Sequence, residues 1–231
     1  MRTDDLGIIP PPHFRLNARV PALSVVVPVY EEEAVVPILV ERLGRVLDGL
    51  GLSAEVILVD DGSRDGTAAE IRRANAADPR FVGLSLSRNF GHQVAISAGL
   101  AESRGEAVVV MDGDLQDPPE VLPALLAKFR EGYDVVHAIR ASRPEAWPKR
   151  LAYAAFYRLL DRMVSIAIPV DSGDFGVMSR RVVDLIVAMP ERRRYVRGLR
   201  AWVGYRQVGL PVDRGERHAG RPKFTHSGEA H

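Results

Sequence analysis

Short runs of almost entirely apolar residues alternate with longer amphipathic segments over the first 140 residues. Residues 23–29 (LSVVVPV) and 54–60 (AEVILVD) are nearly all apolar, as expected of strands buried on both faces of a parallel sheet. Further apolar runs predict strands at 81–87, 106–112 and 133–139. Between the strands, apolar residues three or four apart predict helices at 32–47, 67–77, 94–103 and 118–130. Thr67 and Glu70 have the spacing of a capping box, which predicts that the second helix starts at Thr67 and runs to about Ala77.

This order of elements predicts one α/β domain, a doubly wound, mostly parallel sheet with helices on both faces, because short crossovers between parallel strands are right-handed. In such sheets ligands bind beyond the carboxyl ends of the strands, near the point where the strand order reverses. The polar loops after the first, second and fourth strands therefore share one edge. After residue 140 the pattern is less regular, and it predicts helices at 147–164, 180–188 and 194–202, a polar turn at 171–179 and a strand at 205–213.

Composition and missing motifs exclude several classes of function. The 231 residues include no cysteine, which rules out disulfides, thiolate metal sites and a cysteine nucleophile. The P-loop, the dinucleotide-binding glycine motif, the GxSxG elbow and HExxH are all missing from the sequence. The first residues, MRTDDLGIIPPP, do not resemble a secretory signal, and we expect residues 1–21 to form a flexible lead-in. No run of 18 apolar residues is present, so no transmembrane helix is expected.

Charge is distributed unevenly, although the net charge is only +1. Residues 180–223 contain twelve Arg or Lys and four Asp or Glu, a net charge of +8, whereas the rest of the chain carries −7. This distribution predicts a surface that meets anions, whether phosphate, nucleic acid or an anionic bilayer, and a solvated basic face is the simpler alternative. The densest part, ERRRYVRGLR at 191–200, either docks on anionic lipid headgroups or forms the exposed side of a helix.

The carboxylates of the segment VVVMDGDLQDPPE stand at the end of the fourth predicted strand. Asp112 and Asp114 are two positions apart, so their side chains can point the same way, toward the ligand edge. Two carboxylates at that spacing suit Mg²⁺ or Mn²⁺, and Gly113 lets a ligand approach the backbone closely. The alternative is that these acids only mark a turn. Asp117, directly before a proline, fits a helix cap better than a metal ligand.

Two further loops at the same edge carry candidate nucleoside-binding residues. In PVYEE, residues 28–32, an aromatic ring and acids can stack on a base and accept hydrogen bonds from ribose hydroxyls. In VDDGSRDGT, residues 59–67, Asp60 or Asp61 could accept a hydrogen bond from a base N–H. Each segment is equally explained as a local turn. His92, in the NFGHQ loop, is interpreted as a structural hydrogen-bond partner rather than a nucleotide contact.

Six segments taken together carry a family resemblance: VVVPVYEEE, VDDGSRDGT, NFGHQVAISAGL, VVMDGDLQDPPE, DSGDFGVMSRR and RGLRAWVGYRQ. In this order they resemble the family 2 glycosyltransferases of the GT-A fold. The nearest resemblance is to members that transfer a sugar from a nucleotide diphosphate sugar to a polyprenyl phosphate, as dolichol-phosphate mannose synthases and undecaprenyl-phosphate sugar transferases do. The resemblance covers residues 22–224, which we take as the glycosyltransferase domain, and leaves 225–231 as a tail.

The resemblance implies roles for residues at the matching positions. Those implied for the nucleoside are Pro28, Tyr30, Glu32 and one or both of Asp60 and Asp61. Those implied for the metal and the diphosphate are Asp112, Asp114 and Gln116, with Gly113 between the acids. Arg140 and Arg150 match basic positions of a loop that closes on the phosphates, Asp174 matches an acid near the acceptor, and Arg217 and Lys223 match basic residues near the acceptor phosphate. Asp114, Asp174 and Arg217 are the implied catalytic residues.

The sequence departs from the family pattern in two places. Pro222 stands where a hydroxyl residue is usual, and most members continue into two transmembrane helices where this sequence ends in THSGEAH. We therefore expect a cytoplasmic enzyme, peripheral at the inner face of the membrane, that is a short or truncated form or is anchored by a separate membrane protein. A homo-oligomer is compatible with the sequence, and nucleic acid is not expected as a partner.

The expected reaction is an inverting displacement in which an acceptor phosphate oxygen attacks the anomeric carbon while the nucleoside diphosphate leaves. The acceptor phosphate is largely ionised at neutral pH, so Asp174 is expected to orient groups more than to abstract a proton. The late motifs favour a UDP-sugar as donor. Two alternatives stay open. One is a soluble family 2 transferase that uses a saccharide or small-molecule acceptor, and the other is a nucleotide- or RNA-binding module, which the clustered carboxylates disfavour because they repel nucleic acid.

Overall fold

The computed structural model describes residues 20–140, 172–191 and 194–212. The strands in these residues are β1 Leu23–Val29, β2 Ala54–Asp60, β3 Phe81–Ser85, β4 Ala107–Val110, β5 Val135–Arg140, β6 Ser172–Ser179 and β7 Gln207–Val212. The α-helices are α1 Val36–Leu50, α2 Thr67–Ala77, α3 His92–Glu102, α4 Leu122–Phe129, α5 Arg180–Ala188 and α6 Val196–Trp202.

All of these strands form one sheet in the order β3-β2-β1-β4-β6-β5-β7. β1 pairs in parallel with β2 on one side and with β4 on the other, and β2 pairs in parallel with β3. β6 runs antiparallel between β4 and β5, and β7 pairs in parallel with β5. The predicted doubly wound, mostly parallel α/β sheet is confirmed, and its strand order reverses between β1 and β4.

Helices cover both faces of the sheet. One core layer joins α1, α2 and α4 to the strands, and the other joins α3, α5 and α6 to them. Along β1 the side chains alternate between the layers, with Val25 and Val27 in the first and Val26 in the second, as the two-residue period of a strand requires. Central strands of this sheet are therefore buried on both sides, which explains their continuous apolar runs.

The polar turn predicted at 171–179 is wrong, because Ser172–Ser179 form β6. A Cβ atom added to Gly176 would lie 2.6 Å from the carbonyl oxygen of Val136 in β5. The glycine that suggests a turn in the sequence is thus required by the close approach of a neighbouring strand. As a consequence Asp174 lies within the sheet, near its carboxyl edge as defined by β1 and β4.

The helix predicted at 67–77 is confirmed as α2, but neither residue singled out at a helix start, Thr67 or Asp117, caps a helix. Thr67 is the first residue of α2 and does not cap it. Its hydroxyl instead accepts a hydrogen bond from the Glu32 amide at 2.8 Å and donates one to Asp65 at 2.6 Å, which fastens the loop after β1 to the loop after β2. Asp117 caps neither the 3₁₀ turn Pro119–Val121 nor α4. Its side chain is completely buried, so it belongs to the interior and not to a helix end.

Other element boundaries shift by a few residues. α1 begins at Val36 rather than at 32, since the preceding residues form a turn. β4 ends at Val110, which leaves Asp112 in the loop beyond the strand. The helix predicted at 147–164 lies outside the described residues. Within the described ranges, no helix combines the length and apolar character needed to cross a membrane.

Candidate active site

A cavity of about 400 Å³ opens at the carboxyl edge of the sheet, where the chain leaves β1 toward β2 on one side of the strand order and leaves β4 toward β5 on the other. Adjacent parallel strands whose connections diverge leave a crevice between their following loops. The residues that line it are Pro28, Val29, Tyr30, Glu32, Asp61, Asn89, His92, Ala95, Asp112, Gly113 and Asp114. The loops after the first, second and fourth strands thus meet at one edge, as the order of elements predicts.

The loop after β4 is held against β1 by backbone contacts. The Met111 amide donates to the Val26 carbonyl oxygen at 3.1 Å, which extends the contact between β1 and β4 beyond the end of β4. A Cβ atom added to Gly113 would lie only 2.9 Å from the Pro28 carbonyl oxygen. Glycine is therefore needed here by the packing of two loops, a reason additional to ligand approach.

Asp112 and Asp114 both line the cavity and are partly exposed. The Oδ1 atom of Asp112 is shielded from solvent, and apart from the His92 ring nitrogen 3.3 Å away it has no hydrogen-bond donor among the described residues, while Asp114 accepts a hydrogen bond from the Gln116 amide at 3.1 Å. Two hard carboxylates beside a cavity fit Mg²⁺ or Mn²⁺ bound with several waters. The side chain of Gln116 does not line the cavity, and no cluster of three His, Asp or Glu residues in the described ranges could hold an ion. Ligand or water oxygens would have to complete the shell.

The loop after β1 presents Tyr30 and Glu32 to the cavity. Between them Glu31 has a φ of 51°, a left-handed conformation that non-glycine residues seldom adopt. Its amide donates to the Ser63 hydroxyl at 2.8 Å, so the loop after β2 supports this turn. The positions of Tyr30 and Glu32 are consequently fixed by two loops together.

Asp60 and Asp61, either of which the sequence predicts as a nucleoside-binding residue, are placed differently in the structure. Asp61 lines the cavity, and its Oδ1 and Oδ2 accept hydrogen bonds from the amides of Phe90 at 2.8 Å and Gly91 at 2.9 Å. Asp60 accepts one from the Ser63 amide at 2.9 Å and is not among the lining residues. Asp61 therefore also ties the loop before α3 to β2.

His92, the first residue of α3, lies between two carboxylates from different elements. Its Nε2 atom is 3.3 Å from Asp112 Oδ1 and 3.4 Å from Asp174 Oδ2. Burial would lower the pKa of His92, but the two carboxylates outweigh it and raise the pKa to about 10. The sequence interpretation of His92 as a structural partner omits its place on the cavity wall. The signal available in the sequence was its position in the loop that follows β3, at the ligand edge.

Asp174 is a buried carboxylate whose Oδ2 atom lies near several donors, whereas its Oδ1 atom has no hydrogen-bond partner among the described residues. Its Oδ2 atom lies 3.2 Å from Gln93 Nε2 and 3.5 Å from Arg197 Nη2, in addition to the His92 contact. Burial would raise the pKa of Asp174, but the hydrogen bond from His92 and the charges of Arg197, His92 and Arg200 lower it to about 2. Asp174 is therefore an anion at neutral pH and a weak proton acceptor.

A hydrogen-bond network extends from Asp174 into the interior through Arg200. Arg200 is 1% exposed, and its guanidinium donates to the carbonyl oxygens of Gly173 and Asp174. The Arg200 carbonyl oxygen accepts from Gln207 Nε2 at 3.0 Å, and Gln207 Oε1 lies 2.9 Å from His137 Nε2. β5, β6, β7 and α6 are thus joined behind the site.

The Arg-rich segment 191–200 points inward more than its composition suggests. Arg194 donates to two backbone carbonyl oxygens at the end of α5, and Arg197 contacts Asp174. Arg200 is buried. Both sequence interpretations, a lipid-facing surface and an exposed helix side, are therefore wrong for Arg200. Its guanidinium is buried, where it donates to backbone carbonyl oxygens next to a buried acid.

Several predicted site residues are outside the part of the chain that the structure describes. These are Arg150, Arg217 and Lys223, together with residues 192 and 193 of the Arg-rich segment. Arg140 is the last residue of β5, at the same end of the sheet as Val212 of β7. The roles assigned to these residues stay predictions.

Residues 24–186 match the model of the family described as glycosyl transferase family 2. Among curated relatives, the uncharacterized glycosyltransferase YkcC of Bacillus subtilis is 45% identical over 202 residues, which are 87% of this chain and 62% of the relative. The undecaprenyl-phosphate 4-deoxy-4-formamido-L-arabinose transferase of Aeromonas hydrophila is 37% identical over 213 residues, which are 90% of this chain and 64% of the relative. The chain thus spans less than two thirds of the length of these two relatives.

Among solved structures, mannosyltransferase PcManGT from Pyrobaculum calidifontis, in complex with GDP-Man and Mn²⁺, matches with a TM-score of 0.63 and 22% identity. The match covers 88% of this chain and 59% of the mannosyltransferase. At this identity the likeness concerns the fold, and it confirms the predicted α/β arrangement of the GT-A type.

Proposed function

The chain belongs to glycosyl transferase family 2, and on this premise we propose that it transfers a sugar from a nucleotide diphosphate sugar to a polyprenyl phosphate. One observation carries the proposal. The cavity at the point of strand reversal has Asp112 and Asp114 on its wall, and a single histidine separates Asp112 from the buried acid Asp174. A pair of acids suited to a metal diphosphate, with a third acid in a different environment beside them, is compatible with a displacement between a donor and an acceptor.

The donor would lie along the cavity wall. Tyr30 and Glu32 can stack on a base and accept from ribose hydroxyls, and Asp61 stands beside them. Asp112 and Asp114 would hold Mg²⁺ or Mn²⁺, which neutralises a diphosphate and stabilises it as a leaving group. Pro28 and Gly113 pack together and bring the two loops close enough to share one ligand.

The acceptor would approach from the side of Asp174. Because the pKa of Asp174 is about 2, this group carries a negative charge throughout the physiological range and acts by orienting its neighbours. An acceptor phosphate has a second pKa of about 6, so its oxygen is already a nucleophile at neutral pH and needs no strong base. Attack on the anomeric carbon from the side opposite the diphosphate would invert the configuration at that carbon.

Three features support a lipid phosphate as acceptor and a UDP-sugar as donor. One relative, whose alignment covers 90% of this chain, is named as an undecaprenyl-phosphate sugar transferase. The net charge of +8 in residues 180–223 is favourable near an anionic phosphate at a membrane surface, although Arg194, Arg197 and Arg200 of this stretch have partners inside the protein. The late sequence motifs resemble those of the UDP-sugar branch. Peripheral binding at the inner face of the membrane, through the basic region or a separate anchor, follows from such an acceptor.

Transfer of label distinguishes this acceptor from its alternatives. The protein is incubated with Mn²⁺ and a panel of radiolabelled UDP- and GDP-sugars, together with undecaprenyl phosphate in detergent or with a mixture of water-soluble saccharides. We expect label to become extractable into organic solvent only with undecaprenyl phosphate and a UDP-sugar. Label in a water-soluble product would instead indicate a saccharide acceptor. Failure of every nucleotide sugar, together with binding of RNA, would indicate a non-catalytic module.

A further inference from the structure

His92 connects the donor and acceptor halves of the proposed site. Resting on the proposed function, we propose that His92 is a positioning residue that contacts Asp112 in the metal-free protein and releases it when a divalent ion binds. His92 then keeps its contact with Asp174 and loses the one with Asp112. His92 would thereby make the arrangement of the acceptor acid depend on occupancy of the donor site.

His92 and a metal ion bound at the donor site would both act on the Asp112 carboxylate. The Asp112 oxygen that lies 3.3 Å from His92 Nε2 is Oδ1, which accepts no hydrogen bond from the rest of the described chain. A divalent ion bound to the Asp112 carboxylate would meet the imidazole N–H at close range, and like charges at such distances repel strongly in a partly buried site. The ion and His92 therefore compete for Asp112.

Of the two carboxylates, Asp174 is the one that keeps the contact with His92. Nε2 carries a single N–H, which can be directed well at only one acceptor at a time. Asp174 is mostly buried in β6 and is also held by Gln93 and Arg197, whereas Asp112 is partly exposed in a loop. Asp112 is the partner that can turn away, and Asp174 is the one that stays.

Binding of the donor would therefore come before the acceptor acid takes its final orientation. When a metal diphosphate occupies the donor site, His92 turns wholly to Asp174 and completes its set of donors. The acceptor then meets an acid whose orientation is set. Because coupling between two binding sites is reciprocal, the acceptor in turn should strengthen binding of the donor.

Metal affinity of a His92 variant tests the competition without any turnover. Calorimetric titrations with Mg²⁺, with and without UDP, compare the wild-type protein, His92→Ala and the matched control Val94→Ala, whose side chain is exposed on the same turn of α3. We expect His92→Ala to bind Mg²⁺ about tenfold more tightly than the wild type, the size of one charge-assisted contact, and Val94→Ala to be unchanged. Equal Mg²⁺ affinity in the wild type and His92→Ala would overturn the inference.

Side-chain NMR of the wild-type protein gives a second, independent readout. On addition of Mg²⁺ and UDP, the Nε2 resonance of His92 should shift, whereas that of buried His137, which does not line the cavity, should stay in place. A stationary His92 resonance at saturating Mg²⁺ would overturn the inference and leave the proposed function intact. If neither protein binds Mg²⁺, even with UDP, both the metal-dependent function and this inference fail.

Discussion

The buried guanidinium of Arg200 holds Asp174 by its backbone, since Nη1 donates to the Asp174 carbonyl oxygen at 3.0 Å. Nη2 of the same group donates to the Gly173 carbonyl oxygen at 2.9 Å. A planar guanidinium can satisfy two adjacent carbonyl oxygens at once, which a lysine ammonium on a flexible stem does less well. The start of β6, and with it the acceptor acid, is therefore set by one residue of α6.

Arg200→Lys should lower both stability and activity. At least one carbonyl oxygen would lose its donor, at a cost of about 1–3 kcal/mol in the free energy of unfolding measured with urea. Since the displaced strand carries Asp174, kcat should fall while KM for the donor changes little. Arg194→Lys is the matched control, because Arg194 also donates to backbone carbonyl oxygens, three in all, and these lie at and just after the end of α5 rather than beside Asp174. Unchanged kcat in a destabilised Arg200→Lys would reduce Arg200 to a structural role.

Asp174→Asn should keep a substantial part of the activity. An acid with a pKa of about 2 is already ionised at neutral pH and is a poor base, so its loss should cost about tenfold in kcat, compared with about a hundredfold or more for removal of a general base. The pH profile of kcat, measured from pH 5 to 9, should have the same shape in both proteins. A loss of about a thousandfold that high pH restores would show instead that Asp174 abstracts a proton.

Asp114→Ala and Asp117→Ala should fail in different ways. Asp114 lines the cavity, so its loss should abolish transfer and remove the stabilisation by UDP that depends on Mn²⁺. Asp117 is completely buried and does not line the cavity, so Asp117→Ala should lower the melting temperature and leave residual activity per folded molecule. Thermal unfolding with and without Mn²⁺ and UDP separates the two effects. Equal loss of transfer in both variants would contradict this assignment.

Asp61→Asn should weaken nucleotide binding more than Asp60→Asn does. Both Asp61 oxygens accept hydrogen bonds from backbone amides. An asparagine would turn its N–H₂ group toward one of these amides, which would loosen the loop before α3. We expect the Kd for UDP, measured by calorimetry with Mn²⁺, to rise about tenfold or more. In Asp60→Asn the remaining oxygen can still accept from the Ser63 amide, so only a small change is expected. A larger loss in Asp60→Asn would reverse the assignment.

The buried imidazole of His137 should make the fold sensitive to moderate acid. Burial, helped by the charge of Arg200, lowers the pKa of His137 to about 4 from the ordinary 6.5, although its contact with Gln207 opposes the shift. Between these two values the unfolded chain binds a proton that the folded chain does not, so the free energy of unfolding falls as the pH falls from 6.5 to 4. The full loss is on the order of 3 kcal/mol.

Urea unfolding at pH 7 and pH 5 measures this contribution. His137→Gln has no titrating group at this position and should lose less stability between the two pH values than the wild type does. The contribution of the His92 contacts to the free energy of unfolding changes with pH in the opposite direction and over a different pH range. Because the pKa of His92 is raised to about 10, this contribution is complete below pH 6.5 and is lost as the pH rises toward 10. Identical pH dependence in His137→Gln and the wild type would contradict the prediction.

The sequence by itself determined the parallel half of the molecule. Apolar runs such as 23–29 and 54–60 are strands because residues buried on both faces must be apolar, and because these strands are parallel their following loops lie at one edge of the sheet. For that reason the sequence predicts Tyr30, Asp112 and one or both of Asp60 and Asp61 at a common cavity.

Only the tertiary structure decided the acceptor side. The glycines and polar residues of β6 predict a turn, because the neighbouring strand that requires a glycine there is not visible in the sequence. Arg200 is predicted at the surface because arginine is seldom buried. The hydrogen bond between Gln93 and Asp174 joins residues 81 positions apart. Local periodicity and turn propensity contain no information about such a contact, which exists only once an antiparallel strand is inserted beside β4 and α6 packs behind it.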